Sequence, residues 1–169
     1  SSWVTRLFSS AVALRGIYLW GGVGRGKSFL MDSFHEALPI TSKRRIHFHR
    51  LMQSVHRSLA RFQGDIEPVA RVAKEIAADT RLLCLDEFQI TDIGDAMLMK
   101  GPLDGLFENG VTLVTTSNQR PDDLYRDGLQ RARFLPAIAL INSQMDVVEL
   151  DDGTDYRLRQ LEQGGVYHS

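Results

Sequence analysis

A glycine-rich segment of eight residues, 21–28, carries the most specific chemical signal in the sequence. It reads GGVGRGKS and fits the pattern G-x-x-x-x-G-K-[ST]. Glycines at this spacing let backbone N–H groups come close to an anion, and the helix that follows adds its positive end. The lysine supplies a charge for the β- and γ-phosphates of a nucleotide, and the serine supplies a hydroxyl ligand for Mg²⁺. The segment therefore predicts a binding site for a nucleoside triphosphate and magnesium, formed by Gly21, Gly22, Val23, Gly24, Arg25, Gly26, Lys27, Ser28 and Phe29.

Two acidic residues follow a strongly apolar stretch further along the chain. Residues 81–86 read as a buried strand that ends on Asp86, and Glu87 comes directly after it. In doubly wound sheets, ligands bind at the carboxyl ends of the strands. We therefore expect Asp86 to hold hydrated Mg²⁺ through its water shell, and Glu87 to be the base that orients and polarises the attacking water.

Further polar residues are candidates for the same reaction. Asn118 follows the predicted fourth strand, where its amide can reach the attacking water or the γ-phosphate, or serve as an ordinary turn residue. Arg131 and Arg133 lie too far along to join the phosphate loop, so either one is a candidate arginine finger for a neighbouring subunit or a member of a surface ion pair. Adenine is the predicted base, because the N-K-x-D and D-x-x-G motifs of guanine-binding proteins are not found at the corresponding strands.

Other charged and metal-ligating residues favour structural interpretations. His47 and His49 share one face of a predicted strand, 45–49, but no third ligand is evident, so packing or hydrogen bonding is favoured over a metal site. Asp92 and Asp95 flank a predicted helix start and are interpreted as caps.

Apolar periodicity supplies the elements that must position these residues. Strands are predicted at 16–20, 45–49, 81–86, 111–116 and 146–150, with helical periods between them, including one at 51–62 and one that stops at Asn109 and Gly110. Strands alternating with helices indicate a parallel sheet with right-handed crossovers. The predicted fold is an α/β P-loop NTPase of AAA+-like type, a three-layer sandwich around a five-stranded parallel sheet. We expect residues 1–161 to form a single ATPase core and 162–169 a C-terminal tail.

Composition limits the classes of partner and compartment. The formal net charge is -1, and the only basic run, residues 43–45, is interpreted as a solvated loop, so no nucleic-acid partner is expected. The single cysteine, Cys84, excludes an internal disulfide, is predicted to be a buried thiol and fits a reducing compartment. No run approaches the roughly 20 apolar residues of a membrane-spanning helix, which predicts a soluble protein.

Longer strings of sequence resemble one family. GIYLWGGVGRGKS, HFHR, LDEFQITDIGDAM, TTSNQRPDDLY, GLQRARFLPAI and DYRLR look like the ZapE-type ATPases, an AAA+-related family with bacterial cell-division members and mitochondrial relatives. The resemblance implies ATP hydrolysis with Mg²⁺, action on the FtsZ ring or other divisome proteins, a possible homo-oligomer, and a cytoplasmic location, or a mitochondrial one for a eukaryotic member. It implies membrane contact only through partners.

The same resemblance carries roles onto individual residues. It implies nucleotide and magnesium roles for residues 21–28, Asp86 and Glu87, a sensor role for Asn118, and a finger role for Arg131 or Arg133. Family members continue beyond both ends of this sequence, so we expect a fragment without the helical lid, in which Arg157 and Arg159 are the remaining candidates for the lid's sensor arginine.

Two alternatives to a remodelling ATPase stay open at this point. One is a helicase-loader-like AAA+ protein that binds single-stranded DNA, which requires a basic stripe. The other is a nucleotide-dependent switch that binds ATP and hydrolyses little of it.

Overall fold

A parallel β-sheet of five strands forms the centre of the molecule, and it confirms the predicted fold class. The computed structural model describes residues 14–22, 24, 26–61, 68–151, 157, 160, 161 and 163. In chain order the elements are β1 (Gly16–Trp20), α1 (Gly26–Ala37), β2 (Lys43–His47), α2 (Phe48–Arg61), α3 (Pro68–Ala77), β3 (Leu82–Asp86), α4 (Ile93–Leu98), α5 (Lys100–Glu108), β4 (Thr112–Ser117), two 3₁₀ turns (Pro121–Asp123 and Arg131–Arg133), α6 (Leu135–Gln144) and β5 (Met145–Glu149).

Strand order determines which loops meet. The sheet runs β2-β3-β4-β1-β5, and every neighbouring pair is parallel. Because parallel strands end at the same edge of the sheet, the loop after β1 lies beside the end of β4, and the end of β4 lies beside the end of β3. The segments with chemical signals in the sequence therefore meet at one edge.

Two apolar cores hold the sheet between its helices. On β3, Leu82 and Cys84 pack with Met31 of α1, whereas Leu83 and Leu85 belong to the larger core on the opposite face, with residues of α2, α3, α5 and α6. This alternation along one strand places helices on both faces, as a three-layer sandwich requires. All five residues of β3 are buried, as its continuous apolar run predicts.

The predicted second strand was displaced by two residues. It was expected at 45–49, but β2 ends at His47 and α2 begins at Phe48, so His49 is helical. The reason lies in the apolar spacing: Phe48, Leu51, Met52 and Val55 are all buried, and together they form one helix face. The idea that His47 and His49 share a strand face was therefore wrong.

The predicted helix after Asp92 is divided in two. Asp92 caps α4 by accepting a 2.8 Å hydrogen bond from the backbone N–H of Asp95, so the capping role belongs to Asp92 and not to Asp95. A second helix, α5, begins at Lys100. Pro102 has no N–H to donate to the preceding turn, which explains the break between the two helices. The predicted stop at Asn109 and Gly110 is confirmed.

Within the part of the chain that the structure describes, no helix is long and apolar enough to cross a membrane.

Candidate active site

The phosphate-loop segment connects β1 to α1, as predicted. The side chain of Lys27, only 6% exposed, donates a 2.6 Å hydrogen bond from Nζ to the carbonyl oxygen of Gly22. The side chain of Lys27 is thus folded back onto the loop that precedes it. Phe29 is half-buried in α1 and does not line the cleft described below. Val23 and Arg25 lie outside the described residues.

Gly21 is required by the close approach of the chain that follows β5. A Cβ added at Gly21 would lie 2.5 Å from the carbonyl oxygen of Leu150, the residue after β5. At Gly22 an added Cβ would meet nothing within 4 Å. The first glycine therefore allows close passage of the chain after β5, and only the second faces open space at the loop.

Asp86, the last residue of β3, has several hydrogen-bonding and ionic partners in the site. Its carboxylate lies 3.2 and 3.4 Å from the hydroxyl oxygen of Ser28, accepts a 2.5 Å hydrogen bond from Thr116 Oγ1, and forms a 2.9 Å ion pair with Arg45. The residue is 7% exposed. A buried carboxylate needs such partners, because an isolated charge in the interior is costly.

Arg45 connects Asp86 to α1. Its guanidinium bonds to Asp32 and to Asp86 at once. Burial works against the charged form, but the hydrogen bond and charge of Asp32, reinforced by Asp86, outweigh it and raise the pKa of Arg45. The interpretation of residues 43–45 as a solvated loop was therefore wrong: they form the edge strand β2, and one of the arginines supports the site.

Glu87 has an unusual backbone and a specific partner. Its φ is 57°, in the left-handed region, and its N–H donates a 3.0 Å hydrogen bond to Thr116 Oγ1. Its carboxylate lies 2.6 Å from His47 Nε2, with about two thirds of the side chain exposed. His47 Nδ1 in turn accepts from the backbone N–H of His49. Positive φ in a residue that is not glycine is concentrated at functional sites, where surrounding contacts maintain it.

A cleft of about 430 Å³ brings these groups together, and we call it the central cleft. Lys27, Ser28 and Glu87 line it, and so does Asn118, directly after β4. The remaining lining residues are Gly24, Phe88, Gln89, Thr116, Ser117 and Gln119. The sequence prediction that Lys27, Ser28, Glu87 and Asn118 lie close together agrees with this placement. Asp86 lies beneath, in contact with Ser28.

Tyr18 of β1 fixes the segment around Asn118. The buried phenol donates a 2.6 Å hydrogen bond to the carbonyl oxygen of Gln119, and burial raises its pKa above the ordinary value. The hydroxyl of Ser117 accepts from the N–H of Gln119, at 3.2 Å. The orientation of Asn118 therefore depends on a core residue of another strand.

The two candidate finger arginines lie in different environments. Arg131 donates to the carbonyl oxygens of Asp122, at 2.6 Å, and Leu124, at 3.2 and 3.3 Å. Arg133 is exposed, and its guanidinium donates a 3.1 Å hydrogen bond to Gln130 Oε1. Neither lines the central cleft. Arg131 is thus half-buried and bonded within its own chain, whereas Arg133 is exposed.

The donor set fits a hard cation that is shared with a nucleotide. Ser28 and Asp86 offer oxygen atoms side by side, which Mg²⁺ prefers. Among the described residues, no group of three or more His, Cys, Asp or Glu is placed to hold a metal. Mg²⁺ usually takes one or two protein ligands and completes its shell with water and phosphate, so the oxygens of Ser28 and Asp86 are a sufficient set.

Several supporting residues were missed from the sequence. Thr116 donates to the carboxylate of Asp86 and accepts from the backbone N–H of Glu87, and Arg45, His47 and Tyr18 each hold one part of the site. Thr116 was detectable in principle, because a polar residue in a buried strand needs a partner. Arg157 is exposed, and Arg159 lies outside the described residues.

The strand order, the loop after β1 and the carboxylates at the end of β3 define a class, the P-loop NTPases. The solved structure of AMPPCP-bound DnaA from Aquifex aeolicus resembles this chain with a TM-score of 0.62 and 17% sequence identity, over 96% of this chain and 50% of that one. This likeness concerns the fold alone.

Sequence comparison identifies the family within that class. The chain belongs to the AFG1-like ATPase family, whose model matches residues 2–169. It is 51% identical over 167 residues to the cell division protein ZapE of Escherichia coli K12, covering 99% of this chain and 44% of that protein. It is 41% identical over 162 residues to lactation elevated protein 1 homolog B of Danio rerio, covering 89% and 32%. The chain thus spans less than half the length of these relatives.

Proposed function

We propose that this chain is the nucleotide-binding core of a Mg²⁺-dependent ATPase. The observation that carries the proposal is the contact between Ser28 and Asp86, 3.2 Å apart, with Glu87 next along the chain and Lys27 on the same cleft. Membership of the AFG1-like ATPase family supports the activity. Cofactors are ATP and Mg²⁺, the latter held by Ser28 and, through water, by Asp86.

Three residues of the central cleft, Lys27, Asn118 and Glu87, then each have a step in the reaction. Lys27 leaves the carbonyl of Gly22 and bonds to the β- and γ-phosphates, while the backbone N–H groups of residues 21–28 surround the phosphates. Mg²⁺ would neutralise charge that develops on the β- and γ-oxygens. Asn118 orients a water molecule in line with the γ-phosphate. The oxygen of that water bonds to phosphorus while Glu87 accepts one of the water's protons. The bond between phosphorus and the bridging oxygen of ADP breaks in the same step.

His47 sets a condition on this reaction. In the present structure its imidazole holds the Glu87 carboxylate at 2.6 Å. A carboxylate bonded to a ring nitrogen is less available to a water molecule, so the pair has to open or rotate when the γ-phosphate arrives. We therefore assign His47 as a residue that restrains Glu87 until the γ-phosphate arrives.

We infer a role in cell division for the biological setting. The support is 51% identity to the ZapE cell division protein across nearly the whole chain. Action on the FtsZ ring, a cytoplasmic location at the division site, and an arginine finger from a second subunit stay predictions. Arg133 is the better finger candidate, because Arg131 is bonded to carbonyl oxygens of its own chain.

The test compares ATP binding and phosphate release in three variants. Lys27→Ala is expected to lose ATP binding. Glu87→Gln is expected to keep ATP bound and lose turnover by about 100-fold or more, the usual contribution of a general base. Glu108→Gln, the same chemical change at the exposed end of α5, serves as the matched control and should behave as the wild type.

Three results would contradict parts of the proposal. Full turnover in Glu87→Gln would remove the base assignment and favour a binding switch. Equal loss of binding in both site variants would indicate a folding defect in place of separate roles. Turnover per subunit that is independent of protein concentration would argue against a finger supplied by a neighbour.

A further inference from the structure

A groove lies between the edge strand β2 and the helices α2 and α3, away from the nucleotide site. Its volume is about 360 Å³, and it shares no lining residue with the central cleft. We call it the basic groove. Its lining consists of Arg44, Ile46, Leu51, Ser54, Arg57, Ser58, Arg61, Val72, Glu75 and Ile76. Neither the phosphate chemistry nor the family assignment explains why these residues face a common depression.

The basic groove is strongly positive in a chain that is nearly neutral. Three arginines line it against one glutamate, whereas the whole chain carries a formal charge of -1. Helix α2, which supplies two of the arginines, contains three arginines and two histidines and no aspartate or glutamate. The arginines of α2 form no run in the sequence because they are spread at helical spacing, whereas Arg44 belongs to the basic run 43–45 on β2. All three arginines of the groove are exposed.

The base of the groove is apolar. Leu51, Val72 and Ile76 are buried, and Ile46 is half-buried beside them. Basic side chains above an apolar base match a ligand that has both carboxylate and apolar side chains. None of the described residues that line the groove is aromatic, so it lacks the stacking surface on which proteins usually bind single-stranded nucleic acid.

Geometry favours an extended peptide. β2 is an edge strand, paired only with β3 among the described strands, so its other side offers backbone groups to an added strand. From Leu51 to Arg61 the helix rises about 15 Å at 1.5 Å per residue. An extended chain covers about 3.3 Å per residue, so roughly five residues fit along the groove. Alternate side chains of such a segment point to opposite sides.

We propose that the basic groove binds an acidic, extended segment of a partner protein in which acidic and apolar residues alternate. The acidic side chains bond to Arg44, Arg57 and Arg61, and the apolar ones pack on Ile46 and Val72. This site is separate from ATP hydrolysis, so it stands or falls independently of the proposed ATPase activity.

The probe is a fluorescein-labelled peptide that alternates aspartate and leucine over about ten residues, enough to exceed the length of the groove. Binding to the protein is measured by fluorescence anisotropy. The groove variant carries Arg44→Glu with Arg57→Glu. The matched control carries Arg50→Glu with Arg126→Glu, two exposed arginines outside the groove with the same change of charge. We expect the groove variant to bind about tenfold or more weakly, and the control to stay within about twofold of the wild type.

A charge-swapped peptide protects the test against misfolding. A peptide that alternates lysine and leucine should bind the groove variant more tightly than it binds the wild type. An unfolded variant would not show a preference that depends on the sequence of the peptide. A polyaspartate of equal charge should bind more weakly than the alternating peptide, because it leaves the apolar base uncovered.

Other outcomes would overturn the proposal. Equal loss of peptide binding in the groove and control variants would show a non-specific charge effect. A thymidine oligonucleotide, or phosphatidylglycerol vesicles, that binds through the same arginines while the peptide does not would assign the groove to nucleic acid or to lipid. ATP turnover that falls in the groove variant without any change in peptide binding would assign these arginines to the catalytic assembly.

Discussion

Thr116 contacts both acidic residues of the site, so its replacement offers a sharp test of how the site is held. The change Thr116→Val keeps the shape of the side chain and removes the hydroxyl. That hydroxyl donates to Asp86 at 2.5 Å and accepts from the N–H of Glu87 at 3.0 Å, and the residue is 2% exposed. The variant therefore removes two hydrogen bonds at once from a side chain that is almost completely buried.

The expected loss follows from the two bonds. A hydrogen bond to a charged group contributes about 1.5–3 kcal/mol and a neutral one about 0.5–1.5 kcal/mol, so the free energy of unfolding should fall by about 2–4 kcal/mol. The neighbouring residue supplies the control: Thr115 is fully buried and donates to the carbonyl oxygen of Leu85 at 2.8 Å. Thr115→Val removes one neutral bond and should cost only about 0.5–1.5 kcal/mol.

Urea unfolding and ATP turnover measure the two consequences. With an m-value of about 2 kcal/mol/M, Thr116→Val should lower the unfolding midpoint by about 1–2 M and Thr115→Val by well under 1 M. Well below either midpoint, Thr116→Val should reduce kcat at least about tenfold with KM for ATP little changed, since Glu87 loses the contact that fixes its backbone. Thr116→Ser should restore both properties.

Two results would refute the reasoning. Equal shifts of the unfolding midpoint in the two valine variants would mean that the bond to Asp86 contributes no more than a neutral bond. A destabilised Thr116→Val protein with normal kcat would mean that Glu87 does not depend on Thr116 for its position.

Three further predictions rest on single contacts. Burial raises the pKa of Cys84 from 9.0 to about 12, so above pH 9 only the unfolded chain loses this proton. The free energy of unfolding should then fall between pH 9 and pH 10 by about 1 kcal/mol more in the wild type than in Cys84→Ala, as urea titrations at each pH would show. An equal dependence of the unfolding free energy on pH in the two proteins would contradict this. Arg131→Ala should lower the free energy of unfolding by about 1–3 kcal/mol, because it leaves backbone carbonyls without their donor. Arg133→Ala should leave thermal unfolding unchanged and lower turnover only at protein concentrations that favour assembly. The reverse pattern would exchange the roles of the two arginines. Tyr18→Phe should cost about 1 kcal/mol and speed amide hydrogen exchange at residues 118–119, and unchanged exchange would separate Tyr18 from the Gln119 carbonyl.

Local patterns in the sequence were sufficient to predict the position of the phosphate loop, the strand that ends on Asp86 and the parallel sheet. These depend on short patterns, such as glycine spacing and continuous apolar runs, whose physical meaning does not change with context. The boundary at Phe48 was misjudged because residues 45–49 alternate like a strand. In the folded chain Phe48 is buried as part of the apolar face of α2, and this burial sets the start of the helix.

Contacts between distant segments could not be predicted in the same way. Arg45 and Asp86 are 41 residues apart, and Thr116 and Asp86 are 30 apart. They meet only because β2, β3 and β4 are neighbours in the sheet. The separate environments of Arg131 and Arg133, two positions apart, likewise depend on where the carbonyls of Asp122 and Leu124 fall.

The left-handed backbone of Glu87 has a consequence for anyone who tries to improve this protein by selection. A side chain at φ 57° costs about 1–2 kcal/mol that glycine would not incur. Glu87→Gly is therefore expected to unfold at a temperature equal to or higher than the wild type, while the proposed catalytic base disappears. A library screened for heat resistance alone would enrich inactive proteins at this position, and only a screen that also demands turnover would retain the acid. Thermal stability and activity therefore favour different residues at position 87.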